Sequence, residues 1–263
     1  MITPMPSPCR QTGMTLLELL VAVTIGSILV LSLAGVLGST SDIYAETERT
    51  VETLRDARAT TGIIRSDMAG YMGPGHGLPM FHARDDASLE TRWGFFTTQS
   101  ARAQETGKNT GDLCYAYYYT AVTADANGRV SRKLFRKLVG STDTLPLLDN
   151  ALADPPVAAD PRADPANDDV IAANVLDFRC EFRSRDAQGA WQDLPNPQDP
   201  VALATAGEVV VVLRVLTAGA AANLTTAADW LPGATTAVGF DFDPEEDDDA
   251  QARTFRIRFD LAR

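Results

Sequence analysis

One carboxylate stands where the chain otherwise reads as hydrocarbon. In "GMTLLELLVAV", residues 13 to 23, Glu18 lies among leucines and valines, and from Met14 to Gly38 it is the only charged residue. A charge at such a depth is costly and marks function, so it needs a partner. As a helix at 1.5 Å per residue the run spans about 37 Å, which exceeds the roughly 30 Å hydrocarbon core of a bilayer. It is also longer than the ~7 to 15 apolar residues of an ordinary signal peptide. Two rival readings stand beside a buried pair. Glu18 snorkels to the interface from near a helix end, or the chain is an ordinary secreted protein cut at the small residues of "VLGS", residues 36 to 39.

Other residues of chemical type are sparse. The two histidines, His76 and His82, are six apart in a Gly/Pro-rich stretch, a spacing that matches no metal-binding helix and reads as surface loop. The run "DFDPEEDDD", residues 241 to 249, concentrates carboxylates, and oxygens at short spacing suit calcium. It lacks the spacing of an EF-hand loop, so a solvated acidic loop is the preferred reading, with Asp241, Asp243, Glu245 and Asp247 as the calcium candidates. No other metal or cofactor is expected. Three cysteines contain no Cys-x-x-Cys pair, which speaks against structural zinc. Cys9 lies in the N-terminal segment. Cys114 and Cys180 sit in strand-like runs, either bridged in an oxidising compartment or buried as two thiols. No Gly-x-Ser-x-Gly elbow and no phosphate loop occurs, so the sequence gives no support for an enzyme.

Composition narrows the partners. A hydrophobic content of 45% in 263 residues is that of a folded chain with a real core. The net charge of −12 opposes a nucleic-acid backbone. The densest basic stretch, "GRVSRKLFRKL" at 128 to 138, alternates like one solvated face of a strand, and no nucleic acid is predicted.

The elements that position these residues follow from periodicity. Residues 39 to 72 lack proline and place Ile43, Thr47, Val51, Leu54, Arg58, Thr61, Ile64, Met68 and Tyr71 at spacings of three and four. This predicts the amphipathic continuation of the membrane helix, packed on the chain's own domain and ending at "GPGHG", residues 73 to 77. The remainder reads as β. Residues 112 to 122 and 129 to 139 form a hairpin around "TADANG". Residues 173 to 182 and 208 to 216 are two further strands, and 253 to 261 closes a sheet. The acidic, proline-rich insert 149 to 169 is expected as a surface loop or mobile segment.

Gly13, a hydrophobic residue, Thr15, two leucines and Glu18, followed by an unbroken apolar run, resemble the processing motif of type IV prepilins and type II secretion pseudopilins. The family usually has Phe where this chain has Met14. "NVLDFRCEF", "DAQGAW" and the Val-rich strand after them, with Val175, Leu176, Phe178 and Phe182, are similar to the C-terminal region of J-type minor pseudopilins and W-type minor pilins.

The resemblance implies an α+β, lollipop-like fold, with a long N-terminal helix on an antiparallel β-sheet head. It implies a leader at 1 to 13, a membrane and filament-core half-helix at 14 to 38, an amphipathic half at 39 to 72 and a head at 73 to 263. A prepilin peptidase would cut between Gly13 and Met14 and methylate the new N-terminus. Glu18, fifth in the mature chain, would pair with the N-terminal ammonium of a neighbouring subunit. The partners implied are other pilin subunits, the peptidase and the bacterial inner membrane, crossed once with the head in the periplasm. A head of about 190 residues points to a minor subunit, expected at a filament tip. The reading from another class is a membrane-anchored or secreted extracytoplasmic binding module, calcium-dependent through the acidic run.

Overall fold

The computed structural model describes residues 16–73, 78–100, 111–152, 160–195, 197–231 and 252–261. The chain divides into two compact units, Met1–Glu48 and Arg49–Arg263. The fold is α+β, with a long N-terminal helix followed by antiparallel sheets.

Helix α1 runs Leu16–Ala69 and passes from the first unit into the second. Within the second unit its inward face is Ala57, Thr60, Ile64, Asp67 and Met68. The predicted stripe is therefore right at Ile64 and Met68. It is displaced by one residue earlier on, because Arg58 is exposed and Thr61 only half-buried. Ala57 and Thr60 are small enough to let the helix backbone approach the sheets, and the Thr60 hydroxyl donates to the Ile171 carbonyl. A pattern keyed on large apolar side chains passes over such residues.

The helix ends before "GPGHG" because the chain is captured by a strand. Gly70 N–H and Tyr71 N–H close on the carbonyls of Asp67 and Met68, at 3.3 and 3.1 Å. Met72 N–H then bonds Phe96 O at 2.9 Å, and Thr98 N–H bonds Gly70 O at 2.8 Å. A Cβ at residue 70 would collide with the Thr98 carbonyl, so glycine permits the close crossing.

Five strands form the first sheet in chain order: β1 Phe81–Asp85, β2 Glu90–Thr98, β3 Leu113–Ala124, β4 Val130–Val139 and β5 Asp169–Ala172. The predicted hairpin is β3 with β4. At its turn Asp125 Oδ1 accepts from the backbone N–H of Asn127 and of Arg129, both at 2.8 Å, and Gly128 takes the positive φ.

This sheet is covered on both faces, which explains the aromatic density of β3. Ala116 and Tyr118 enter one core with Trp93, Phe95 and Leu134. Tyr115, Tyr117 and Tyr119 enter a second with Phe96 and Phe135, under helix α2, Ser141–Ala151.

The second sheet has the order β7-β6-β8-β9, from β6 Val175–Arg185, β7 Trp191–Asp193, β8 Glu208–Leu216 and β9 Ala252–Asp260. Phe178, Phe182, Val209, Val211, Leu213 and Val215 join Ala57, Ile64 and Met68 of α1 in the first core. Short helices α3, Pro200–Leu203, and α4, Ala218–Ala221, fill the connections.

Over the described part of the insert, residues 160 to 168 run as a largely exposed loop that is tied to the first sheet. Tyr117 O–H donates to Asp160 at 2.7 Å, Tyr119 O–H to Asp168 at 2.8 Å, and Lys137 Nζ to the Arg162 carbonyl at 2.7 Å. Its last residue, Asp169, begins strand β5, and its first three, 149 to 151, belong to helix α2. Tyrosine hydroxyls on one sheet face thus hold residues 160 to 169 in place. Residues 153 to 159 lie outside the described residues.

Candidate functional site

The first half of α1 is built for an apolar solvent. An 18-residue window reaches a mean hydropathy of 2.5, none of it is buried within the protein, and the helix is long and apolar enough to cross a membrane. Its hydroxyls are satisfied inside the helix, as a bilayer requires. Thr24 donates to the carbonyls of Leu20 and Val21, Ser27 to that of Val23, and Ser39 and Thr40 to that of Val36. Leucines 16, 17, 19 and 20 are exposed. Glu18 is exposed in the first turn, where a carboxylate complements the positive end of the helix dipole. Gly13 and Met14 lie outside the described residues.

The second half of α1 carries a carboxylate that sequence reasoning missed. Asp67 is buried and gathers groups from three strands or their ends. Arg136 of β4 grips it with Nε to Oδ2 at 2.8 Å and Nη2 to Oδ1 at 2.9 Å. Gln99 Nε2 donates to Oδ1 at 3.0 Å, and the Tyr118 hydroxyl donates to Oδ2. Thr97 Oγ1 donates to the Asp67 carbonyl at 2.6 Å.

Burial alone would lower the Arg136 pKa, but its bonds to Asp67 outweigh this and raise it. Burial, reinforced by the Asp67 charge, holds Tyr118 well above the ordinary phenol value. The arrangement is a fixed ion pair inside a polar network, a structural clamp between helix and sheet. The only signal for it in the sequence is an acid next to Met68 on the apolar stripe.

A second buried set joins the two sheets. Arg84 of β1 donates to Asp177 of β6 at 2.9 Å and to the Phe178 carbonyl at 3.1 Å. Arg132, fully buried, donates to the carbonyls of Leu176, Ser88 and Trp230, and burial pushes its pKa down to about 10.

The remaining sequence candidates do not converge. Cys114 on β3 and Cys180 on β6 are both buried and free, one in each sheet, so no bridge joins them here. Burial pushes both thiols up, which makes them poor nucleophiles. His82, expected as a surface-loop residue, is instead buried on β1. Its Nδ1 lies 3.2 Å from the Pro197 carbonyl and its ring is edge-on to Phe182. His76 and the calcium candidates Asp241, Asp243, Glu245 and Asp247 lie outside the described residues. Among the described residues no group of three or more His, Cys, Asp or Glu could hold a metal ion.

Residues 8–34 match the family described as the prokaryotic N-terminal methylation motif, the prepilin-type signal of type IV pilins and pseudopilins. The match covers Gly13, Met14 and Glu18 together with the apolar first turns of α1. No curated protein and no solved structure gives a significant match.

Proposed function

We propose that this chain is a minor pilin or pseudopilin subunit, cut between Gly13 and Met14 by a prepilin peptidase, methylated at Met14, and assembled into a filament through α1. The observation that carries the reading is the methylation motif at 8–34 on a helix that leaves leucines and valines exposed around a single carboxylate. Before assembly this helix half sits in the inner membrane as a single pass, with the β-rich region in the periplasm. In a filament, the same apolar surface packs against the helices of other subunits.

Glu18 then has a defined task. The new ammonium of a neighbouring Met14 and the Glu18 carboxylate compensate each other's desolvation, and removal of one member of such a buried pair costs about 3 to 5 kcal/mol. The role is structural, as in pilin-type proteins generally. Two sheets with helical connections make a bulky unit for repeated packing along a thin filament, which favours a minor subunit at the tip.

The experiment compares the wild type with Glu18→Val in cells that make the filament. The variant should be cleaved normally, accumulate in the membrane and be depleted from sheared filaments at least tenfold. Incorporation at the wild-type level would overturn the charge-pair role.

A further inference from the structure

His82 holds a proline-rich stretch against β1. Between β7 and α3 the chain contains Pro195 and Pro197, and α3 opens on Pro200. None of the three has an N–H to donate, so the stretch has few backbone bonds to offer. At one end Leu194 is buried and its N–H bonds the Phe182 carbonyl at 2.8 Å. At the other end Leu203 is buried in the first core. Between these anchors two side chains tie the stretch to β1: His82 Nδ1 lies 3.2 Å from the Pro197 carbonyl, and Gln198 Nε2 donates to the Arg84 carbonyl at 3.2 Å.

A carbonyl only accepts, so Nδ1 carries the proton of the neutral ring. Nε2 is then a bare acceptor, buried without a hydrogen-bond partner, on a ring that meets Phe182 edge-on at 5.1 Å. A proton at Nε2 would make a buried cation whose N–H has nowhere to donate, which is costly. The charged groups on the surrounding elements do not relieve it. Arg84, on the same strand, opposes the proton, and burial lowers the pKa to about 4 in spite of the Pro197 bond. Asp86 and Asp177 of β6 are both held by Arg84, at 2.7 and 2.9 Å, and Arg179 and Glu181 of β6 bind each other at 3.0 Å. Arg92 of β2 binds Asp160 at 3.0 Å, and Asp199 accepts the Val201 N–H at 2.9 Å.

We propose that His82 is an acid-sensitive latch, which on taking up one proton from solvent leaves its pocket and frees residues 197 to 199 from β1 while both sheets stay folded. The ring carries its charge into water, where the ordinary imidazole value returns. Pro197 loses its tie to β1, and Asp199 its place at the start of α3. This is a local opening between two fixed anchors, distinct from unfolding of the whole unit. The inference rests on the second unit alone and does not depend on cleavage at Gly13.

Hydrogen exchange of the full chain in detergent micelles tests it, through the amides of Val201 and Leu203, whose bonds run to Asp199 at 2.9 Å. After correction for the chemical effect of pH on exchange, their protection should fall about tenfold per pH unit from pH 6.5 towards 4. The fall should be the same with and without 1 M urea, because a local opening exposes little surface. The amide of Val211, in the core of the second sheet, should by contrast lose protection in urea. In His82→Leu the two reporter amides should show no such dependence on pH. Constant protection in the wild type, a fall that deepens in urea as that of Val211 does, or the wild-type slope in His82→Leu would each overturn the proposal. The urea comparison uses the wild-type protein, so the test survives a variant that folds poorly.

Discussion

Arg136 meets both carboxylate oxygens of Asp67, Nε to Oδ2 at 2.8 Å and Nη2 to Oδ1 at 2.9 Å, and thereby ties the last turns of α1 to β4 of the first sheet. In the filament reading this is the joint through which a pull on the helix reaches the β-rich region. Arg136→Leu leaves Asp67 buried without its cation and should destabilise the second unit by about 3 to 5 kcal/mol. The double variant Asp67→Leu/Arg136→Leu should recover much of that loss, because an apolar pair of similar volume carries no desolvation cost. Urea unfolding of the full chain in micelles, followed by tryptophan fluorescence, measures both. A single variant within 0.5 kcal/mol of wild type would contradict the clamp.

How much of this was legible differs from element to element. The membrane half of α1 is a contiguous signal in the sequence, and its single charge stands out. Strands β3, β4, β6, β8 and β9 are runs rich in β-branched, aromatic or alternating apolar residues, and their predicted limits fall within three residues of those observed. Strands β1 and β2 escaped the sequence reading, as did β5, which is only four residues long. Helix α2 also escaped it and has Pro146 inside, a residue that argues against helix. The Asp67 clamp could not be read locally, because Gln99, Tyr118 and Arg136 come from 32, 51 and 69 residues away. His82 read as loop for a related reason, since its burial depends on Phe182 and Pro197.

That buried histidine makes the fold sensitive to acid. Burial lowers the His82 pKa to about 4, with the Pro197 carbonyl opposing and Arg84 assisting. The unfolded chain takes up this proton near pH 6.5, so the histidine's contribution is complete above that pH and is lost as the pH falls towards 4. Between pH 6.5 and 5 the loss should be about 2 kcal/mol. His82→Leu should remove this component, which shows as a flatter dependence of the unfolding midpoint on pH. The same slope in wild type and variant would contradict the assignment.

Processing makes its own demand on residue 13. Gly13→Asp places a charged side chain at the proposed cleavage site, where the motif has glycine, and should leave the precursor uncut in the membrane. The measurement is a gel shift of about 1.4 kDa, the share of thirteen leader residues in a chain of 263 residues and 28.2 kDa. A mature-sized band from this variant would remove the prepilin-peptidase assignment.

The central claim is tested most directly by the intact mass and N-terminal sequence of the protein purified from its native membrane. The account predicts a chain that starts at Met14 and carries one added methyl group, which supplies Glu18 with its ammonium partner in the assembled state. A chain that starts at Ser39 or beyond would contradict it, because the apolar half of α1 and Glu18 would then be absent from the mature protein.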